Sequence, residues 1–177
     1  MTPQRVFLTG EPGCGKTTAV EKTIRLLNDK KIKVGGFISH ETREIGVRIG
    51  FSIKDLLTNR TGTLANTKQR TGPRLGRYYV NLQDITDIGV SAIEQAILEA
   101  DLIVVDELGP MELKSIDFTK AVRKALTTPK PFLGTLHKHA THELVNEVRS
   151  KPEFQIIEVN LQNRETLPHE LLRMLAN

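Results

Sequence analysis

The sequence predicts an α/β domain three layers deep, with helices on both faces of a mostly parallel sheet and an antiparallel hairpin as an excursion from it. Three observations carry that prediction. Short apolar runs that suit buried strands alternate with helical patterns along most of the chain. Residues 10–18, GEPGCGKTT, place two glycines, a lysine and a threonine at the spacing of a phosphate-binding loop. Far downstream, a strand pattern runs straight into two consecutive carboxylates, Asp106 and Glu107.

Taken in order, RVFLTG (residues 5–10) reads as a buried strand ended by glycine. A helix follows over 16–29, where Val20, Ile24 and Leu27 recur at helical spacing opposite Glu21, Lys22 and Arg25. KVGGFISHET (33–42) and VRIGFSI (47–53) read as two strands of a hairpin, the second with period-two alternation. Residues 58–77, rich in glycine and carrying Lys68, Arg70, Arg74 and Arg77, are expected as a mobile basic loop. YYVNL is the next strand, and a helix over 87–100 aligns Ile88, Ala92, Ile93, Ala96 and Ile97. Residues 102–105 form a buried strand, and a helix over 115–127 starts at an N-capping serine, Ser115. PFLGTLH, THELVNEVRS, QIIEV and LPHELLRML then read as strand, helix, strand and helix.

A chain of 177 residues can bury a full core without metals or disulfides, so one domain spanning 1–177 is expected. The single cysteine, Cys14, excludes an intrachain disulfide and suits a reducing compartment. No apolar run has the length of a signal peptide core or a membrane span, so a cytoplasmic protein without a membrane partner is expected. Its net charge of +4 comes from basic residues interspersed with acidic ones, which permits a nucleic-acid partner but does not indicate one. An anionic small ligand accounts for the excess equally well, and a monomer is the default expectation.

The strand before residues 10–18 and the helix after them are the context in which such a loop binds phosphate. Glycines let the backbone curl, and the helix N-terminus aims free N–H groups and its positive dipole end at the anion. Lys16 then reaches the terminal phosphates, Thr17 supplies a hydroxyl to Mg²⁺, and the N–H groups of about residues 13–18 hold phosphate oxygens. Asp106 is the acidic partner that such a Mg²⁺ needs, and Glu107 is the general base for an attacking water, as in the RecA-like division of P-loop ATPases. Arg77, placed slightly ahead of Arg48, is the candidate for stabilising charge on the transferred phosphoryl group, with Arg74 behind them. Thr135 and His137 end a strand beside the Asp106 strand, near the γ-phosphate. His137, His139 and His142 read as exposed loop histidines before they read as a metal site. Asn163 and Arg164 follow the last strand and are candidates for contacting the base, the arginine by stacking.

The chain also resembles a known family, the small P-loop nucleoside-triphosphatases described from thermophiles, whose human relative is called cancer-related nucleoside-triphosphatase. The resemblance rests on GEPGCGKTT, VRIGFSIKDL with the following GTLA, GRYYVNL, VVDELGPMEL and GTLH, in that order. It implies Mg²⁺-dependent hydrolysis of the β–γ bond of several nucleoside triphosphates with little base selectivity. It also implies nucleotide binding by Gly10, Glu11, Pro12, Gly13, Cys14, Gly15, Lys16 and Thr17, to which the loop N–H groups add Thr18, and by Leu102, Ile103, Val104, Val105, Asp106, Glu107, Leu108 and Gly109. One departure is LLTNRTG, where a glycine is expected near Asn59; it bears on the shape of that loop and not on the chemistry.

Two other functions compete with hydrolysis. One is an ATP-using kinase for a small molecule, a nucleotide or an RNA end, with Lys68–Arg77 holding an acceptor phosphate; Glu107 argues against it. The other is a nucleotide-dependent switch, disfavoured because the guanine-reading pattern Asn-Lys-x-Asp is absent.

Overall fold

In a computed structural model that describes residues 4–176, nine strands form one sheet among the described residues. The extremes of the expected 1–177 domain, residues 1–3 and 177, lie outside the described residues. The chain runs β1 (Arg5–Thr9), α1 (Lys16–Asp29), β2 (Val34–Glu44), β3 (Val47–Asp55), β4 (Thr61–Asn66), β5 (Arg74–Leu75) and β6 (Tyr78–Val80). A helix then enters as α2 (Leu82–Asp84), passes through π-helical turns (Ile85–Val90) and leaves as α3 (Ser91–Glu99). It is followed by β7 (Leu102–Leu108), α4 (Ile116–Thr127), β8 (Phe132–Leu136), α5 (Glu143–Ser150), β9 (Gln155–Glu158) and α6 (Leu167–Leu175).

The spatial order is β5-β6-β4-β3-β2-β7-β8-β1-β9. From β2 to β9 neighbouring strands are parallel, as buried strands joined by helices must be. Alternate residues of each strand feed opposite cores. Phe7, Ile103, Val105 and Phe132 pack with the π-helical turns, α3, α4 and α5 on one face. Val6, Leu8, Leu102, Val104 and Leu133 pack with α1 and α6 on the other. This is the expected three-layer arrangement, and Val20, Ile24 and Leu27 are the buried stripe of α1.

The antiparallel excursion is larger than a hairpin. β2 pairs with β3, β3 with β4, β4 with β6, and β6 with β5, all antiparallel. Residues 58–77, expected as a mobile loop, therefore carry β4 and β5. The signal was weak because β5 has only two residues and β4, TGTLAN, buries just Leu64 and Ala65 in full. Their order comes from partners far along the chain rather than from local pattern. The helix expected over 87–100 begins earlier, at Leu82, where the Asn81 side chain caps it by accepting from the Asp84 N–H at 3.1 Å.

At the departure near Asn59, the asparagine itself adopts the left-handed conformation, with φ of 61°. Asp55 holds the turn, its carboxylate accepting from the Leu57 N–H at 2.8 Å and the Thr58 hydroxyl at 2.6 Å. Asparagine is among the few side chains that tolerate this conformation, so the turn keeps the form a glycine would give it. Asn59→Ala is expected to destabilise the fold by about 1 kcal/mol and Asn59→Gly to leave it unaffected, as measured by urea denaturation.

Candidate active site

The site lies at the carboxyl ends of β1, β7 and β8. The loop after β1 reaches α1 through Gly13 at φ of 76° and Gly15 at φ of 108°, conformations that a side chain would strain. The start of α1 has no side-chain cap and no acidic residue in its first turn. By contrast, α4 and α5 begin with capping side chains, from Ser115 and His142. An uncapped helix end with free N–H groups is suited to an external anion. Lys16 folds over the loop and donates from Nζ to the carbonyls of Gly10 at 3.0 Å and Glu11 at 3.4 Å.

β8 lies between β1 and β7, and this interposed strand joins the two halves of the site. Asp106, 1% exposed, accepts from the Thr17 hydroxyl at 2.8 Å on one oxygen and from the Thr135 hydroxyl at 2.6 Å on the other. Burial pushes its pKa up, while the two hydroxyls oppose that shift. A hydroxyl and a carboxylate held together are hard oxygen donors of the kind Mg²⁺ takes, so Thr17 and Asp106 fit the expected metal site. Among the described residues no cluster of three or more His, Cys, Asp or Glu could hold a metal. The His137 and His139 rings stand 6.2 Å apart, and the His142 side chain is spent on capping α5.

Glu107 follows on a bulge in the β7–β8 pairing, and its carboxyl is pushed up to about 7 by burial and by Asp106, with Lys16 pulling the other way. A second carboxyl, that of Glu112, is 3% exposed and pushed well above its ordinary value by burial and by Glu107. Gly109 sits between the pair: a Cβ there would lie 2.9 Å from Glu107 Oε1 and 2.9 Å from Glu112 Oε2. Glu112 was not singled out from the sequence. Its only signal is an acidic residue inside the otherwise apolar run GPMEL, which is explained once the turn folds it under Glu107.

The other expected residues divide by position. A cavity of about 640 Å³ is lined by Gly10, Pro12, Gly13, Gly15, Lys16, Thr17 and Thr18 of the loop, together with Asp106, Glu107, Glu112, His137 and Arg48. Glu11 points elsewhere and pairs with Lys138 at 2.7 Å, and Cys14 packs against the α1/α6 core. Leu102, Ile103, Val104, Val105 and Leu108 are fully buried between the sheet faces, so their side chains support the strand without touching the cavity. Of residues 102–109, Asp106 and Glu107 line the cavity. Arg77 does not line the cavity; it donates to the Tyr78 hydroxyl at 3.1 Å and to the Arg48 carbonyl at 2.6 Å. Arg74 bonds the Gly76 carbonyl. Asn163 braces its own loop, donating to the Glu158 carbonyl at 2.8 Å and accepting from the Asn160 N–H at 2.9 Å. The Arg164 stem lies against the phosphate loop, 3.7 Å from where a Gly15 Cβ would be.

The sheet order, the uncapped loop and the threonine–aspartate–threonine bridge define a P-loop enzyme of the α/β/α class with a glutamate after the β7 aspartate. The family model described as NTPase matches residues 5–172, and the chain belongs to that family. It is 44% identical to the nucleoside-triphosphatase THEP1 of Thermofilum pendens over 178 residues, covering 100% of this chain and 98% of the relative. It is 45% identical to that of Methanosarcina barkeri over 168 residues, covering 94% of each. The crystal structure of THEP1 from Aquifex aeolicus superposes with a TM-score of 0.86 at 28% identity, covering 98% of this chain and 100% of that one. The solution structure of a human cancer-related nucleoside triphosphatase superposes with a TM-score of 0.81 at 32% identity, covering 96% of each.

Proposed function

We propose that the chain hydrolyses the β–γ bond of nucleoside 5′-triphosphates, ATP, GTP, CTP and UTP among them, in a Mg²⁺-dependent reaction with little base selectivity. The observation that carries this is the placing of Thr17, Asp106 and Glu107 at one end of the cavity beside Lys16. Bound at Thr17 and Asp106, Mg²⁺ would supply charge neutralisation at the phosphate oxygens. Lys16 exchanges its loop carbonyls for phosphate oxygens, and the loop N–H groups orient the triphosphate. Glu107, next in the chain to Asp106, holds a water for attack on the γ-phosphorus and accepts its proton.

Low base selectivity is supported by what surrounds the loop. The Asn163 amide is tied to its own turn by bonds to the Glu158 carbonyl and the Asn160 N–H. Arg164 offers a planar guanidinium, which stacks on any base. Of the two arginines, Arg48 faces the cavity, and Arg77 acts as a positioning residue through Tyr78. A single domain, a monomer and a cytoplasmic location complete the reading; one continuous sheet supports the first, and the lone thiol suits the last.

Phosphate release tests it. With Mg²⁺ the four triphosphates are expected to give kcat/KM values within about tenfold of one another, and activity is lost with EDTA. Arg48→Ala is expected to lower kcat by about 10²-fold, and Arg77→Ala by less. A strong preference for one base, or the opposite order of the two arginines, would overturn the corresponding part.

A further inference from the structure

Beyond the phosphate loop and the Asp106–Glu107 pair the cavity continues into the antiparallel part of the sheet. Phe51 on β3, Leu64 on β4, Leu75 on β5, Tyr78 on β6 and Met111 after β7 line this end. The Phe51 and Tyr78 rings meet edge to face with centroids 5.4 Å apart, and the Arg48 guanidinium stands 5.3 Å from the Phe51 centroid. Ser39, His40 and Glu41 add polar groups along β2. A mostly apolar, aromatic chamber with a few convergent polar groups is the form of a small-molecule site, and a site that needs to admit only water has no use for one.

The charges on this wall favour an uncharged occupant. Arg48 is paired with Glu41 at 2.9 Å and bonded to the Tyr78 hydroxyl at 2.9 Å, and His40 is paired with Glu21 at 2.8 Å. Of the basic residues between 68 and 77, none lines the cavity; Lys68 is paired with Glu44 at 2.5 Å. With Arg48 committed to the transferred phosphoryl group, an acceptor phosphate would find no further cation on this wall among the described residues. A flat ring with hydroxyl groups would find an apolar lining of Phe51, Leu64, Leu75 and Met111 and hydrogen-bonding partners on β2.

We propose that this chamber is an acceptor site for a nucleoside, and that the chain transfers the γ-phosphoryl group to a nucleoside hydroxyl as well as to water. The proposal rests on Glu107 serving as the base in hydrolysis. The hydroxyl oxygen forms a bond to the γ-phosphorus as the bond from that phosphorus to the β–γ bridging oxygen breaks. The nucleoside diphosphate leaves with that electron pair, and the hydroxyl proton passes to the Glu107 carboxylate and then to solvent. The products are a nucleoside monophosphate and a nucleoside diphosphate, and no other reactant is needed.

The full chain is incubated with γ-³²P-labelled ATP, Mg²⁺ and adenosine, guanosine, cytidine or uridine in turn, and labelled phosphate and labelled monophosphate are measured in the same tube. Label is expected in the monophosphate of at least one of the four. Phe51→Ala is expected to raise the KM for that nucleoside about tenfold. Leu75→Trp, which fills the chamber, is expected to suppress transfer while leaving phosphate release without nucleoside within about twofold of wild type. Label in free phosphate alone, with all four nucleosides at saturating ATP, overturns the acceptor site and leaves hydrolysis standing. Label in a monophosphate without free phosphate upholds the chamber and overturns hydrolysis; label in neither overturns both. Transfer that persists unchanged in both variants places the acceptor elsewhere and overturns the proposal.

Discussion

Glu107→Gln is expected to bind nucleoside triphosphate as wild type does and to hydrolyse it 10²–10⁴-fold more slowly, the usual span for loss of a positioned base. Glutamine keeps the shape of the side chain and can still hold a water, but it cannot accept its proton. Because the Glu107 carboxyl is pushed up to about 7, wild-type kcat/KM is expected to rise with pH to about 7 and then level off. The variant should lack that limb. The same shift has a stability consequence. A carboxyl whose folded value lies above its ordinary 4.5 contributes stability that is fully present below 4.5 and lost as the pH rises through about 7. Above pH 7 the charged side chain therefore opposes folding, and the neutral variant is relieved of that cost. The shift corresponds to about 3 kcal/mol at ~1.4 kcal/mol per unit, and ~1–2 kcal/mol is expected after solvent screening of a partly exposed group. Denaturation at pH 8 without nucleotide checks it. A variant with wild-type turnover, or one less stable than wild type, contradicts the role assigned to Glu107.

The second large effect is expected at Asp106. Asp106→Asn keeps the size of the side chain and a hydrogen-bonding partner for the Thr17 and Thr135 hydroxyls, but it removes the buried charge. The Mg²⁺ concentration for half-maximal hydrolysis should rise by at least ~10–100-fold, the loss that even an outer-shell partner costs. Nucleotide affinity in EDTA should change little, because the loop N–H groups and Lys16 are untouched. Metal titrations of phosphate release, with a fluorescent nucleotide in EDTA as the control, separate the two. A half-saturation unchanged from wild type would remove Asp106 from the metal site.

Much of this site was legible in the sequence because its parts are short-range. Residues 10–18 declare a phosphate loop by local spacing, since glycines make that curl and a lysine and a hydroxyl follow at the motif's positions. Asp106 and Glu107 stood out because charges rarely end a run as apolar as LIVV. Thr135 was placed beside them by its strand. Arg48 and Arg77 were not separable in this way, since which of them faces the cavity depends on pairings across β3, β4 and β6. Glu112 was missed for a similar reason: its burial is created by the turn that brings it under Glu107.

By itself, the sequence determined the layers, the loop and the strand-end carboxylates, because hydrophobic period and turn chemistry act over a few residues. The tertiary structure alone decided that residues 58–77 extend the sheet and that Asn59 takes a left-handed turn. It also decided that an aromatic chamber opens beyond the phosphate site. Those features depend on contacts between strands distant in the chain, whose energies outweigh weak local propensity and leave little trace in any short window of residues.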